Sequence, residues 1–330
     1  MSDNDDFRAK LLLVLGNRAK LYCEFCEIVG LWKEGLGVRC CHRQPLDPQP
    51  EDIQREDRFR RRNAPFFDFG TPENPDSGNN SRLNPRLRDD DRFREQAREV
   101  ENGNERLGRL FGIKGESVLA LLDSILFPWS FPPDYMHLIL LGLLRKLHKI
   151  LKGQAFGHQG AVDELELLLL DDEIWAIIGT DQKGSSASYP TDFGEAFNID
   201  KVWSGMKAAN WYSWAIQQVL IYLHAELRTA DEYEFLKKVV FAVELASRRS
   251  LSWEEVDQLE ILLRDVVDYV ELNVYRCMDE RLSICKPTFH QCRQHVVHGI
   301  RMCGPMPVYW QMNMEQKIGS LGMDTYHRYR

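Results

Sequence analysis

From Ile113 onward the chain reads in helical periods. Met136, Leu140, Leu143, Leu144, Leu147 and Ile150 recur at the spacing of one helix face, and Asp134 stands where an N-cap belongs, which predicts a helix over 134–151. Similar patterns predict helices over 161–178, 201–227 and 231–246. Ser252 followed by Glu255 makes a capping box that opens a helix from Trp253 to about Cys277. Another helix spans 287–303 and is closed by Gly304-Pro305, and a last one runs from Met312 to Leu321.

The first 112 residues read differently. Phe7 to Leu15 is mildly amphipathic and leads through Gly16 into Cys23-Glu-Phe-Cys26, with Gly30, Gly35 and Gly37 beyond, a loop-rich module with a few short strands. From Gln44 to about Gly103 the text turns to Pro, Asn, Asp and Arg without a period of 2 or 3.6, predicting loops and one charged helix near Asp89 to Val100. Phe59, Phe66, Phe67 and Phe69 are the residues that could pin this stretch to the rest. Three parts follow: 1–43, rich in Cys; 44–112, a poorly ordered Pro/Arg/Asp-rich linker; and 113–330, a helical domain.

Charge narrows the function classes. The 330 residues carry a net charge of -8, and residues 111–330 hold 22 Lys/Arg against 29 Asp/Glu, so a chain-wide basic face for nucleic acid is excluded. The longest uncharged apolar runs, such as Leu138 to Leu144, are far short of the roughly 20 residues of a membrane span, and no membrane partner is expected. The acidic start lacks the order of a secretory signal, so the eight cysteines are expected to be reduced thiols in an intracellular protein. No feature points to a small-molecule substrate.

Five candidates could carry chemistry. Cys23 and Cys26 on one turn, with Cys40, Cys41 and His42 about 14 residues later, could close a tetrahedral Zn²⁺ site or could be half-buried free thiols. The later cysteines, Cys277, Cys285, Cys292 and Cys303, are dispersed and read as core thiols. Asp134 and His137 lie three apart at a helix start, either as an N-cap with a surface histidine or as a pair facing a metal or phosphate. Glu315, in an otherwise apolar and amide stretch, is either paired with Lys317 or functional. His290, His295 and His298 form a cluster in which His295 and His298 share a helix face, most simply a partly buried polar patch. Arg55, Arg58, Arg60, Arg61 and Arg62 surround Phe59 and could meet phosphates and stack on bases, or form a solvated linker or a nuclear signal.

In this order the pieces resemble the transposases of CACTA (En/Spm-like) DNA transposons of the fungal type. The likeness is carried by Lys10 to Gly30 with its Cys-x2-Cys, by Asp134-Tyr-Met-His-Leu138 running on to Gly142, by Tyr189 to Gly194 and Met206 to Trp211, and by His295 through Gly304-Pro305 and Trp310 to Met314-Glu315-x3-Gly319. The resemblance implies a ribonuclease-H-like (DDE) core in which three acids hold two Mg²⁺ for phosphoryl transfer, interrupted by a helical insertion. It further implies Glu315 as the last acid, Asp134 and His137 as the Asp-x2-His element, DNA as partner and a nuclear location. Asp5 or Asp6 falls where the family has a Gly-Asp. The chain departs from the family in lacking a first acid on a strand, in Gln316 after the last acid, and in Cys40 and Cys41 where the family has tyrosines. The expected fold is therefore mainly α, a helical insertion region with a remnant of the α/β core lacking its first strands. The expected function is an N-terminally truncated, catalytically incomplete transposase fragment with residual DNA binding, which does not cleave DNA by itself. The alternative is a helical protein–protein interaction module, self-association included, without metal chemistry.

Overall fold

The computed structural model describes residues 12–15, 19, 21–63, 82–155, 168–185, 188, 196–201, 206–312, 314, 315 and 317. It is mainly helical. Its strands among these residues are two, β1 (Leu31–Lys33) and β2 (Gly37–Arg39), an antiparallel hairpin in which Trp32 pairs with Val38.

The helices follow in chain order as α1 (Pro50–Asn63), α2 (Asp90–Glu101) and α3 (Glu105–Phe111). Next is α4, π-wound over Met136–Leu144 and α-helical over Arg145–Leu151. After α5 (Asp172–Gly184) comes α6, Ala208–Ser213 passing through a π-wound turn into Val219–Leu223. The last four are α7 (Ala230–Ala246), α8 (Trp253–Tyr269, continuing π-wound to Tyr275), α9 (Pro287–Gln294) and α10 (Val296–Cys303).

Helices α4 to α10 bury one large apolar core. Trp175, Trp211, Val243, Leu259, Val267 and Val274 are almost wholly enclosed there. The antiparallel pair α7 and α8 forms its backbone, and both members start on reciprocal capping boxes, Thr229 with Glu232 and Ser252 with Glu255. α9 and α10 lie across α8. The single helix expected over 287–303 is instead these two short ones, because His295 leaves helical geometry at φ -122 and ψ -21.

The described parts of 44–112, residues 44–63 and 82–112, carry helices where a poorly ordered linker is expected. The charged helix appears as α2, but α1 and α3 flank it, and Phe93, Ala97, Val100, Leu110 and Phe111 are buried. Its core contribution runs through charged side chains, which a compositional reading counts as solvated. Arg88 is almost fully buried and its guanidinium donates to the carbonyls of Phe111 and Cys26 at 2.7 and 3.3 Å. Glu27, equally buried, accepts two hydrogen bonds from Arg92 and one from Gln96. These pairs bring residues 25–29 alongside 86–88, where backbone bonds from Glu27 to Arg86 and from Arg88 to Phe25, both 2.9 Å, complete the splice.

Gly112 closes α3 with φ +72, and any Cβ there would overlap the carbonyl oxygen of Leu21. It joins α3 to the segment that carries the cysteines. Phe66, Phe67, Phe69, Asp5, Asp6, Tyr189 to Gly194, residues 161–167 and 202–205, and Gln316 and Gly319 lie outside the described residues.

Candidate metal centre

The extended segment 21–30 is pinned on one side by Arg88 and on the other by Trp129, whose indole N–H donates to the Arg88 carbonyl at 2.8 Å. This fixes Cys23 and Cys26 against α9 and α10. Cys23 Sγ lies 3.3 Å from His295 Nε2, Cys26 Sγ lies 3.2 Å from His290 Nε2, and the two Nε2 atoms are 3.1 Å apart. All four residues are buried, and their ligand atoms lie within 4.8 Å of one another.

These separations, from 3.1 Å to at most 4.8 Å, bracket those of a four-coordinate metal site. A tetrahedral zinc with Zn–S near 2.3 Å and Zn–N near 2.05 Å separates its ligand atoms by roughly 3.3–3.8 Å. The donor chemistry agrees. Burial lowers His290 and His295 below the ordinary imidazole range, which favours the neutral form that carries the ligating lone pair. Burial disfavours the Cys23 thiolate, yet the Cys26 thiol and the imidazoles of His295 and His290 outweigh it and hold Cys23 well below the usual thiol range. Cys26 is pushed well above it by burial and by Cys23 beside it. Two imidazole nitrogens and two sulfurs turned inward make a donor set that could hold a cation such as Zn²⁺.

The break at His295 is what makes the centre. On a continuous helix, residues five apart point about 140° away from each other. The turn between α9 and α10 swings His295 onto the side of His290, and His298 goes elsewhere, its ring 4.0 Å from that of Trp129.

Of the five residues expected to hold zinc, Cys23 and Cys26 do lie in the cluster, and Cys40, Cys41 and His42 do not. Residues 40–42 leave β2 on the far side of His290. There His42 Nε2 meets His290 Nδ1 at 3.1 Å, and His42 Nδ1 meets Glu271 Oε1 at 2.9 Å. The same carboxylate accepts the backbone N–H groups of His42 and Arg43 at 2.9 and 3.0 Å. Burial alone would raise Glu271, but the bonds from His42 and Arg43 hold its carboxyl below the usual range. A buried row Glu271–His42–His290 thus leads to the cluster and leaves His290 Nε2 facing it. Cys40, Cys277 and Cys285 are pushed above the ordinary thiol range, chiefly by burial, as core thiols are.

Asp134, His137 and Glu315 also meet. Buried Asp134 accepts the backbone N–H of His137 at 2.9 Å and its Nδ1 at 2.7 Å through Oδ2, and the N–H of Gln311 at 2.7 Å through Oδ1. His137 Nε2 lies 3.1 Å from Glu315 Oε1. Asp134 is therefore both the helix cap and the anchor of segment 311–315. The arrangement does not suit Mg²⁺, which asks for several free oxygen ligands. Both oxygens of Asp134 are taken by N–H donors, and an imidazole stands between it and Glu315.

Among the basic residues, Arg60 pairs with Glu56 at 3.5 Å, and Arg61 donates to the Asp57 carbonyl at 3.4 Å. Arg55, Arg58 and Arg62 share the opposite stripe of α1. No helix among the described residues is long and apolar enough to cross a membrane. No protein-family model, curated protein or solved structure matches the chain.

Proposed function

We propose that the chain is a transposase-derived protein of the CACTA type, a helical body tied by zinc to a remnant of a ribonuclease-H-like core, which binds DNA without cutting it. The observation that carries this reading is the meeting of residues chosen by resemblance from blocks far apart in the chain. Asp134, His137 and Glu315 lie in one hydrogen-bonded row, and the Cys-x2-Cys turn meets the histidines at the edge of the last block. Cys23, Cys26, His290 and His295 would hold zinc as a closed four-ligand set, which supplies a cross-link and no open coordination position. Glu315 is the one carboxylate of its row not already engaged by backbone donors, so two divalent ions are not held there and strand cleavage is not expected.

The test uses the purified chain. Metal analysis is expected to find about one zinc per chain, lost in Cys23→Ser, and plasmid DNA is expected to be retained at low salt and to stay intact with Mg²⁺ or Mn²⁺. Nicking abolished by Glu315→Gln would overturn the non-cutting assignment, and absence of both zinc and DNA binding would overturn the whole reading.

One observation favours the interaction-module reading. Val118, Leu121, Leu122 and Leu126 expose 73%, 82%, 49% and 48% of their surface within one short stretch. Self-association that ignores salt and is lost in Leu121→Asp would put that reading first.

A further inference from the structure

Arg62 on α1 and Arg106 and Arg109 on α3 line one cleft of about 640 Å³, and among the described residues none of the three forms a side-chain hydrogen bond or an ion pair. Arg58, one turn before Arg62, lines the same cleft, its Nε donating to the Gln54 carbonyl of its own helix at 3.2 Å. All four side chains are exposed, and Leu15, Ala19 and Leu110 give the cleft an apolar wall. Arg55 and Phe59 border it but are engaged. Arg55 is 3.4 Å from Asp52 and lies over the Trp32 ring, and Phe59 packs on the apolar core.

No carboxylate lines this cleft among the described residues. Two acids of α1 are committed to other arginines, Asp52 to Arg55 and Glu56 to Arg60 and Arg82. Beyond the cleft, Arg92 is held by Glu27 and Arg94 by Asp90. Four like charges around one cleft, with no acid among them, are a local exception in a chain of net charge -8. They repel one another, and an anion between them relieves the repulsion.

The layout selects among anions. Arg58 and Arg62 stand about 6 Å apart along the axis of α1, and Arg106 and Arg109 about 4.5 Å apart along α3. A lone phosphate meets one end of each row, whereas consecutive phosphates meet both ends. Guanidinium groups match phosphate oxygens through paired N–H donors. The volume is that of a small-molecule site rather than of a groove that tracks a polymer. We infer that this cleft binds a small oligophosphate, its consecutive phosphate groups held by Arg58 and Arg62 of one helix and by Arg106 and Arg109 of the other. The inference stands on the cleft alone and depends neither on the metal centre nor on DNA binding.

The test is isothermal titration calorimetry of the full chain with inorganic tripolyphosphate at low salt. Binding is expected, and Arg106→Gln with Arg109→Gln is expected to weaken it about tenfold, because each lost guanidinium takes charge-assisted bonds to phosphate oxygens with it. Arg249→Gln with Arg264→Gln removes the same charge from exposed positions outside the cleft and is expected to stay within about threefold of the parent. A nucleoside triphosphate in place of tripolyphosphate separates the sources of the phosphates. Tighter binding means that a sugar or base rests on the apolar wall, and equal or weaker binding means that the phosphates alone are recognised. The inference is overturned if tripolyphosphate does not bind, if the two double variants weaken it equally, if single inorganic phosphate binds as tightly, or if duplex DNA displaces tripolyphosphate at an equal concentration of phosphate groups. Zinc content and Tm of each variant separate a loss of binding from a failure of the fold or of the metal centre.

Discussion

Replacing His42 by Phe would keep a ring in the same space and remove both nitrogens of the row Glu271–His42–His290. His290 Nδ1 would lose its 3.1 Å partner, and Glu271 would lose one of three N–H donors. Without that partner nothing selects the tautomer that leaves Nε2 free for the metal. Loss of a ligand's supporting hydrogen bond costs typically 10–100-fold in metal affinity, ~1.4–2.8 kcal/mol. The bond lost to the buried carboxylate should cost the apo fold a further ~1.5–3 kcal/mol. The assay is competition for zinc against a chromophoric chelator, with Co²⁺ absorption to report the ligand set. Cys292→Ala, a buried core thiol outside the centre, controls for general loss of stability. An affinity for zinc within twofold of the parent in a folded His42→Phe chain would refute the reasoning. So would an equal loss in the Cys292 control.

Three other outcomes follow from the same structure. Stripping the metal with a chelator should lower Tm by roughly 8–16 °C, from ~4 kcal/mol of linkage when free zinc exceeds Kd a thousandfold and 2–4 °C per kcal/mol; an unchanged melt would count against any stabilising ion. His148 is buried between Trp175 and Trp211, and burial with Lys152 nearby lowers it to about 3. Between pH ~6.5 and ~3 the unfolded chain therefore takes up a proton that the native one refuses, so stability falls with falling pH by up to ~1.4 kcal/mol per unit. Urea unfolding at pH 6.5 and 5 should show that slope reduced by one proton in His148→Gln, and equal slopes would exclude it. Gly112→Ala should destabilise by about 3 kcal/mol in the same assay, since it meets both a left-handed φ and the Leu21 carbonyl; a loss under 1 kcal/mol would show that the turn relaxes.

What the sequence disclosed was local. The capping box of Ser252 and Glu255, the cap at Asp134 and the charged helix near Asp89 are written in residues three or four apart, and all three are in the structure. Cys23 and Cys26 were legible for the same reason. Their partners were not, since His290 stands 264 residues away from Cys26 and nearer donors at Cys40 to His42 competed for the assignment. The spacing His-x4-His is one that zinc sites use, and it was the available signal. It was masked by reading 287–303 as one continuous helix, on which the two rings would diverge. Composition over 44–112 equates charge with exposure, whereas Arg88 there is among the most enclosed side chains, held beside the equally buried Glu27.

The pairing of Cys26 with His290 also sets a timetable for biosynthesis. The histidine that Cys26 meets is synthesised 264 residues after it. At about 5–20 residues per second that interval is roughly 13–50 s. For all of it the nascent chain presents two unguarded thiols and an apolar segment whose cover has not been translated. The segment around Cys23 and Cys26 cannot complete its packing ahead of α9 and α10, whose histidines close over it.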